Sequence, residues 1–72
     1  MFPNPTSGAI TLKHADQFNS IKVIDLQGKV QFAANSVKEE YDFSHLSAGV
    51  YWIQLTNDTQ SISKKLIIQN GN

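Results

Sequence analysis

An all-β fold is predicted by three features of this sequence. No helical period of apolar residues is sustained over ~10 residues anywhere in the chain. Short apolar runs are instead divided at regular spacing by Gly, Asn, Ser and Pro, the pattern of a small antiparallel sandwich. One run, Gly49-Val50-Tyr51-Trp52-Ile53-Gln54-Leu55, combines β-branched, aromatic and aliphatic residues over the length of a strand. Tyr51, Ile53 and Leu55 share one pleat and Val50, Trp52 and Gln54 the other. Apolar groups on both pleats predict a central strand covered on both faces.

The remaining elements follow in chain order. Phe2-Pro3-Asn4-Pro5-Thr6-Ser7-Gly8 carries two prolines that fix φ and remove two amide donors, so it reads as extended chain closing in a turn at Gly8. Phe2 is expected to anchor this segment on the sandwich. Ala9–Lys13 alternates, with Ile10 and Leu12 inward, and His14–Asn19 reads as a connection. Ile21–Leu26 is the next strand, with Ile21 and Val23 on one face and Ile24 and Leu26 on the other. Gln27-Gly28 makes a tight turn into Lys29–Ala33, giving a hairpin. Val37–Phe43 resumes strand character weakly, with Tyr41 and Phe43 on one face and Glu40 and Asp42 on the other. Ser44–Gly49 fits a single helical turn, with Ser44 at its cap, Leu46 inward and Gly49 at positive φ. After the central strand, Asn57-Asp58-Thr59 turns the chain into the last strand, Ser61–Gln69.

Composition limits function. Seventy-two residues make one domain with a thin core. Six Lys balance six acidic residues, and a net charge of zero argues against nucleic acid or an acidic membrane surface as a general partner. Cysteine is absent, which removes disulfides, thiolate nucleophiles and Cys-ligated zinc together. No apolar run approaches the ~20 residues of a membrane helix. No charged n-region with an apolar h-region follows Met1. The abrupt start at a turn is expected of a domain excised from a longer secreted protein.

Sites of chemistry are poorly supported. Asp42, Ser44 and His45 hold the residue types of a triad, but triad members converge from separate elements, and here they are near neighbours without a Gly-rich oxyanion motif. A capping Ser and a solvent-facing His explain them better. His14 and His45 lack the close spacing of metal ligands, with Asp16 or Asp42 as the conceivable third group. Asp25 and Asp42 as a glycosidase pair would need a cleft that so small a domain hardly has. Asn57-Asp58-Thr59 matches a glycosylation sequon, though a turn explains it. Trp52 divides between core packing and a sugar-stacking platform, whereas Tyr51 belongs to the core. Lys64-Lys65-Leu66-Ile67-Ile68 reads either as a terminal strand with charges that deter edge pairing or as a strand offered to a partner.

Four stretches in order resemble the C-terminal sorting domains of the type IX secretion system. Phe2-Pro3-Asn4-Pro5-Thr6-Ser7-Gly8 is similar to that family's Tyr-Pro-Asn-Pro opening, with Phe2 keeping the ring and losing the hydroxyl. Asp25-Leu26-Gln27-Gly28-Lys29-Val30 looks like the second box, a strand running into Gly-Lys. Asp42 to Tyr51 resembles the third, with Ser44, Leu46, Gly49 and Tyr51 on its Ser-x-Leu-x-x-Gly-x-Tyr pattern. Lys65-Leu66-Ile67-Ile68 looks like the closing Lys-plus-aliphatic box, and Asn70-Gly71-Asn72 extends past it.

The resemblance implies a small immunoglobulin-like antiparallel β-sandwich of about six to seven strands. It also implies an address rather than a catalyst, with no cofactor and no metal. Its carriers, from Bacteroidota, reach the periplasm in transit and cross the outer membrane through a translocon, aided by a shuttle protein. A surface sortase with a catalytic cysteine then removes the tail, and the cargo is lipid-anchored at the cell surface or released. On this resemblance Lys64, Lys65, Leu66, Ile67 and Ile68 are expected to be read by the translocon or shuttle. Phe2, Pro3, Asn4, Pro5, Gly8, Gly28, Leu46, Gly49 and Tyr51 are expected to be structural. A non-catalytic β-sandwich binding module, for carbohydrate or protein, is the alternative.

Overall fold

A computed structural model describes residues 6–69. The opening Phe2-Pro3-Asn4-Pro5 and the Asn70-Gly71-Asn72 tail lie outside the described residues. Six strands fall within them: β1 (Ala9–Thr11), β2 (Ser20–Asp25), β3 (Val30–Ala34), β4 (Glu40–Asp42), β5 (Gly49–Thr56) and β6 (Ser61–Ile68). They form a four-stranded antiparallel sheet in the order β3-β2-β5-β6 and a two-stranded antiparallel sheet of β1 with β4. A small β-sandwich results, as the sequence predicts.

The core lies between the sheets. Ile21 and Val23 of β2, Tyr51, Ile53 and Leu55 of β5, and Leu66 and Ile68 of β6 are buried on the inner pleat of the larger sheet. Ile10 and Leu12 meet them from the smaller sheet, with Phe43 and Leu46 closing one end and Ala15 the other connection. Each fully buried aliphatic side chain contributes about 1.5–3 kcal/mol, so this cluster is the main stabilising term in a chain without disulfides. Phe43 also stacks on Tyr41, with centroids 5.3 Å apart, and meets Phe32 edge-on at 5.3 Å.

β5 is central, paired with β6 along its whole length and with β2 from Tyr51 to Thr56. Its covering is one-sided. Trp52 is 39% exposed, so the outer pleat faces water and the expectation of a strand covered on both faces is corrected. Two strands are too few to make a second sheet over that side.

Local chemistry moves three more boundaries. β2 stops at Asp25 because its carboxylate accepts the amides of Gln27 and Lys29, each at 2.9 Å, and so bends the chain. Leu26, expected inside the strand, therefore sits in the turn and is 68% exposed. A bulge between Val23 and Ile24 leaves Gln31 without a cross-strand partner in register, and its side-chain amide donates to Asp25 at 2.9 Å. Of the expected Val37–Phe43 strand only Glu40–Asp42 is regular. The Tyr41 hydroxyl holds the preceding loop instead, accepting the Lys38 amide at 2.9 Å.

The expected helical turn at Ser44–Gly49 is also absent. Phe43 accepts the amide of Leu46 in a single tight turn, and Asp42, rather than Ser44, is the capping group. Leu46 does point into the core, at 7% exposure. A 3-10 turn, Ala15–Gln17, occupies the connection expected at His14–Asn19, entered through His14 at φ 60.

Candidate functional site

The motif residues gather at one end of the sandwich through the backbone. Thr6 lies beside Ile68 in a parallel bridge, its amide donating to Ile67 O at 2.9 Å and its carbonyl accepting Gln69 N at 2.8 Å. The same threonine's Oγ1 donates to Ala9 O at 2.7 Å and accepts Gly8 N at 3.1 Å. One residue thus ties the opening box to the closing one and bends the chain into β1.

Gly8 ties the opening box to the third. Its carbonyl accepts the Phe43 amide at 2.8 Å, and it is buried at φ 129. A Cβ there would lie 2.5 Å from Ser44 Cα and 2.9 Å from the Phe43 carbonyl carbon. Only glycine lets these two segments approach so closely. Gly28, by contrast, sits at φ 86 in the open hairpin turn with nothing near. Its glycine serves the turn alone.

Tyr51 completes the third box. Its ring is buried beside β6, opposite Leu66, and its hydroxyl donates to Ser47 O at 2.6 Å. That bond closes the loop leading into β5, a corner device of the kind sandwiches use. Gly49, at φ 157, begins the strand opposite Ile68, with only the Tyr51 ring within reach of an added Cβ.

The residues expected to be read by a partner divide sharply by pleat. Leu66 and Ile68 are core, at 0% and 1% exposure. Ile67 is half-buried on the outer pleat and Lys65 is exposed beside Trp52 in register. Lys64 falls opposite Ile53 on the inner pleat, yet is exposed because β6 is the last strand of its sheet. An inward-pointing lysine on an edge strand opposes pairing with another sheet.

Among the described residues the other candidate groups are taken up by local hydrogen bonds. Asp42 accepts the Ser44 amide at 2.9 Å, and hydrogen bonds from the Ser44 hydroxyl and amide hold its carboxyl below the usual range, helped by nearby His45. Ser44 is therefore an orienting partner of Asp42 rather than a nucleophile facing a base. His45 lies against the Phe43 ring at 6.4 Å. Among the described residues no group of three His, Cys, Asp or Glu could hold a metal ion.

Asn57 Oδ1 accepts Thr59 N, Thr59 Oγ1 and Gln60 N, while its Nδ2 donates to Gln17 O at 2.8 Å. The sequon asparagine is a turn residue with its amide nitrogen engaged. Asp25 is likewise committed: the Lys29 amide first, then the Gln31 side chain, hold its carboxyl below the usual range. An open hollow on the smaller sheet is lined by Ala9, Ile10, Thr11, Glu40, Tyr41 and Asp42.

Sequence reasoning missed one residue and one surface. Thr6 was passed over because one threonine after a proline looks like ordinary turn chemistry. The hydrophobic half of the outer sheet face was hidden by the assumption that β5 is covered on both sides.

A family model described as a secretion system C-terminal sorting domain matches residues 1–69. No curated protein matches the chain.

Proposed function

The chain belongs to the secretion system C-terminal sorting domain family, and from that premise we propose that it carries an upstream cargo across the outer membrane and is then cut off by a surface cysteine sortase. The family is a type IX secretion signal, not a catalytic one, so the cargo is secreted or displayed at the cell surface. Passage through the periplasm, handling by a translocon and shuttle, and lipid anchoring or release of the cargo belong to the proposal. So does the reading of residues 1–72 as one domain excised from a longer protein.

The observation that carries this reading is the meeting of the opening, third and closing boxes through Thr6, Gly8, Phe43 and Ile67. These bonds make the boxes parts of one folded unit, which fits recognition of the tail as a domain. Lys65 of the closing box and Lys64 just before it are exposed, with Ile67 half-exposed beside them, and they are the groups a shuttle or translocon would touch. Leu66 and Ile68 present those groups by anchoring β6 in the core.

Deleting Lys64 to Asn72 would strand a fused reporter in the periplasm, but it would also strip Leu66 and Ile68 from the core. Lys64→Glu with Lys65→Glu is the cleaner test. Reversing both charges should lower surface delivery of the reporter about tenfold or more, with the thermal midpoint held. Normal delivery by the charge-reversed fusion would contradict the assignment of these lysines. Retention of the unaltered fusion in a host with the secretion system would contradict the sorting role itself.

A further inference from the structure

The outer pleat of the four-stranded sheet is divided in two. In register across all four strands runs the row Val30–Ile24–Trp52–Lys65, and beside it lies Val50 paired with Ile67. Leu26 follows Asp25 in the hairpin turn at this same end of the sheet. Among the described residues the exposed large hydrophobics are Leu26, Val30 and Trp52, two of them in this row and Leu26 in the turn at its end. The other half carries Ser20, Lys22, Gln54, Thr56, Ser61 and Ser63. Solvent-facing pleats are ordinarily polar throughout, and a contiguous apolar block marks a contact surface.

Charge and position identify what covers it. On the strands of this pleat the charged residues are Lys22 and Lys65, with no carboxylate. The nearest acid, Asp25, is turned into the hairpin and takes up three N–H donors. Thr6 and Gln69 are hydrogen bonded at this same end, so the block borders the point where the described chain enters from its N-terminal side. Four aliphatic residues, Ile24, Val30, Val50 and Ile67, share this half with one aromatic ring, whereas a sugar platform needs aromatic planes.

We propose that the Val30–Ile24–Trp52 block, with Leu26, Val50 and Ile67, docks a protein of the secretion machinery whose contact surface is aliphatic and bordered by carboxylates. Trp52 is the anchor, since large aromatic residues at the centre of such blocks dominate binding. Lys65 supplies the charge that orients the partner, and docking here holds the junction with the cargo beside that partner. The inference rests on the sorting role and names a surface for it.

The test fuses the chain to a secreted reporter in a host with a type IX system and compares it with Trp52→Thr plus Val30→Thr. Both positions are exposed and threonine keeps strand preference, so the thermal midpoint should hold within about 4 °C. Surface delivery is expected to fall roughly tenfold or more, as for loss of an interface anchor. The polar-half variant Gln54→Thr plus Ser63→Thr should deliver normally. Leu26→Ser, in the turn and outside the strands, gives a second reading should the double variant not fold. It should lower delivery in the same direction.

Delivery by both the unaltered fusion and the apolar-half variants overturns the docking surface alone. Retention of the unaltered fusion overturns the sorting role. Two further results would replace the partner: a dimer in light scattering that Trp52→Thr disperses assigns the block to a second copy, and binding to an envelope polysaccharide lost on Trp52→Thr assigns it to sugar. A monomer that binds no polysaccharide supports the protein partner.

Discussion

Replacing Gly8 with alanine is the sharpest test of how the domain is held. Two costs add at this position. The backbone sits at φ 129, a region that side chains avoid, and holding a non-glycine residue there costs about 1–3 kcal/mol. The new Cβ would also lie 2.5 Å from Ser44 Cα and 2.9 Å from the Phe43 carbonyl carbon. Both are backbone atoms, so neither neighbour yields by changing a rotamer. Relief requires β1 to move away from residues 43 and 44, which breaks the bond from the Phe43 amide to Gly8 O.

Together the loss is at least about 3 kcal/mol, against a total stability of roughly 4–11 kcal/mol for a chain of this length. It corresponds to a midpoint lowered by ~12–24 °C. Gly28→Ala is the internal control, because it has positive φ but open space, and costs only about 1–2 kcal/mol. Thermal melts followed by circular dichroism, with urea titrations of the same proteins, measure both. A Gly8→Ala protein no less stable than Gly28→Ala would refute the close approach of the first and third boxes.

Three other perturbations probe separate parts of the account. Tyr51→Phe removes the 2.6 Å bond to Ser47 O while keeping the ring, and should lower the urea midpoint by about 1 kcal/mol equivalent with an unchanged slope. Leu26→Ser should change stability by less than about 0.5 kcal/mol, whereas Leu46→Ala should cost roughly 2–5 kcal/mol, since one residue is exposed and the other buried. Asp25 and Asp42 are both held below the ordinary aspartate value of 3.8, so the stability they add is present above that value and is lost as pH falls through their lowered folded values. Asp25→Asn with Asp42→Asn should therefore flatten the acid limb of a stability–pH curve, leaving a smaller difference between the two proteins at the acid end than at neutral pH.

Strand order along the chain was legible from periodicity, as was the inner pleat of β5 with Tyr51, Ile53 and Leu55. Inward and outward alternation is a local property, and hydrophobic spacing records it directly. Which sheet a strand joins is not local. Glu40–Asp42 shows no more than weak strand character, and its pairing with Ala9–Thr11 depends on Gly8 allowing the approach. The exposure of Trp52 was misjudged for a related reason: composition shows that a side chain is apolar, not whether a second layer exists to cover it. Capping at Asp42 rather than Ser44 turns on two residues of position, the scale at which sequence patterns are weakest. In the site, the sequence picked out Lys64 to Ile68 as one unit, but pleating splits it into a buried pair and an exposed set.

Sufficiency of the chain as an address is the claim on which the rest depends. A stable reporter that is exported only as far as the periplasm, joined ahead of residues 1–72 in a host with a type IX secretion system, tests it directly. The account predicts that the reporter appears at the cell surface or in the medium, and that the same fusion carrying Gly8→Ala remains behind. A reporter that stays in the periplasm while the attached domain is folded would contradict it.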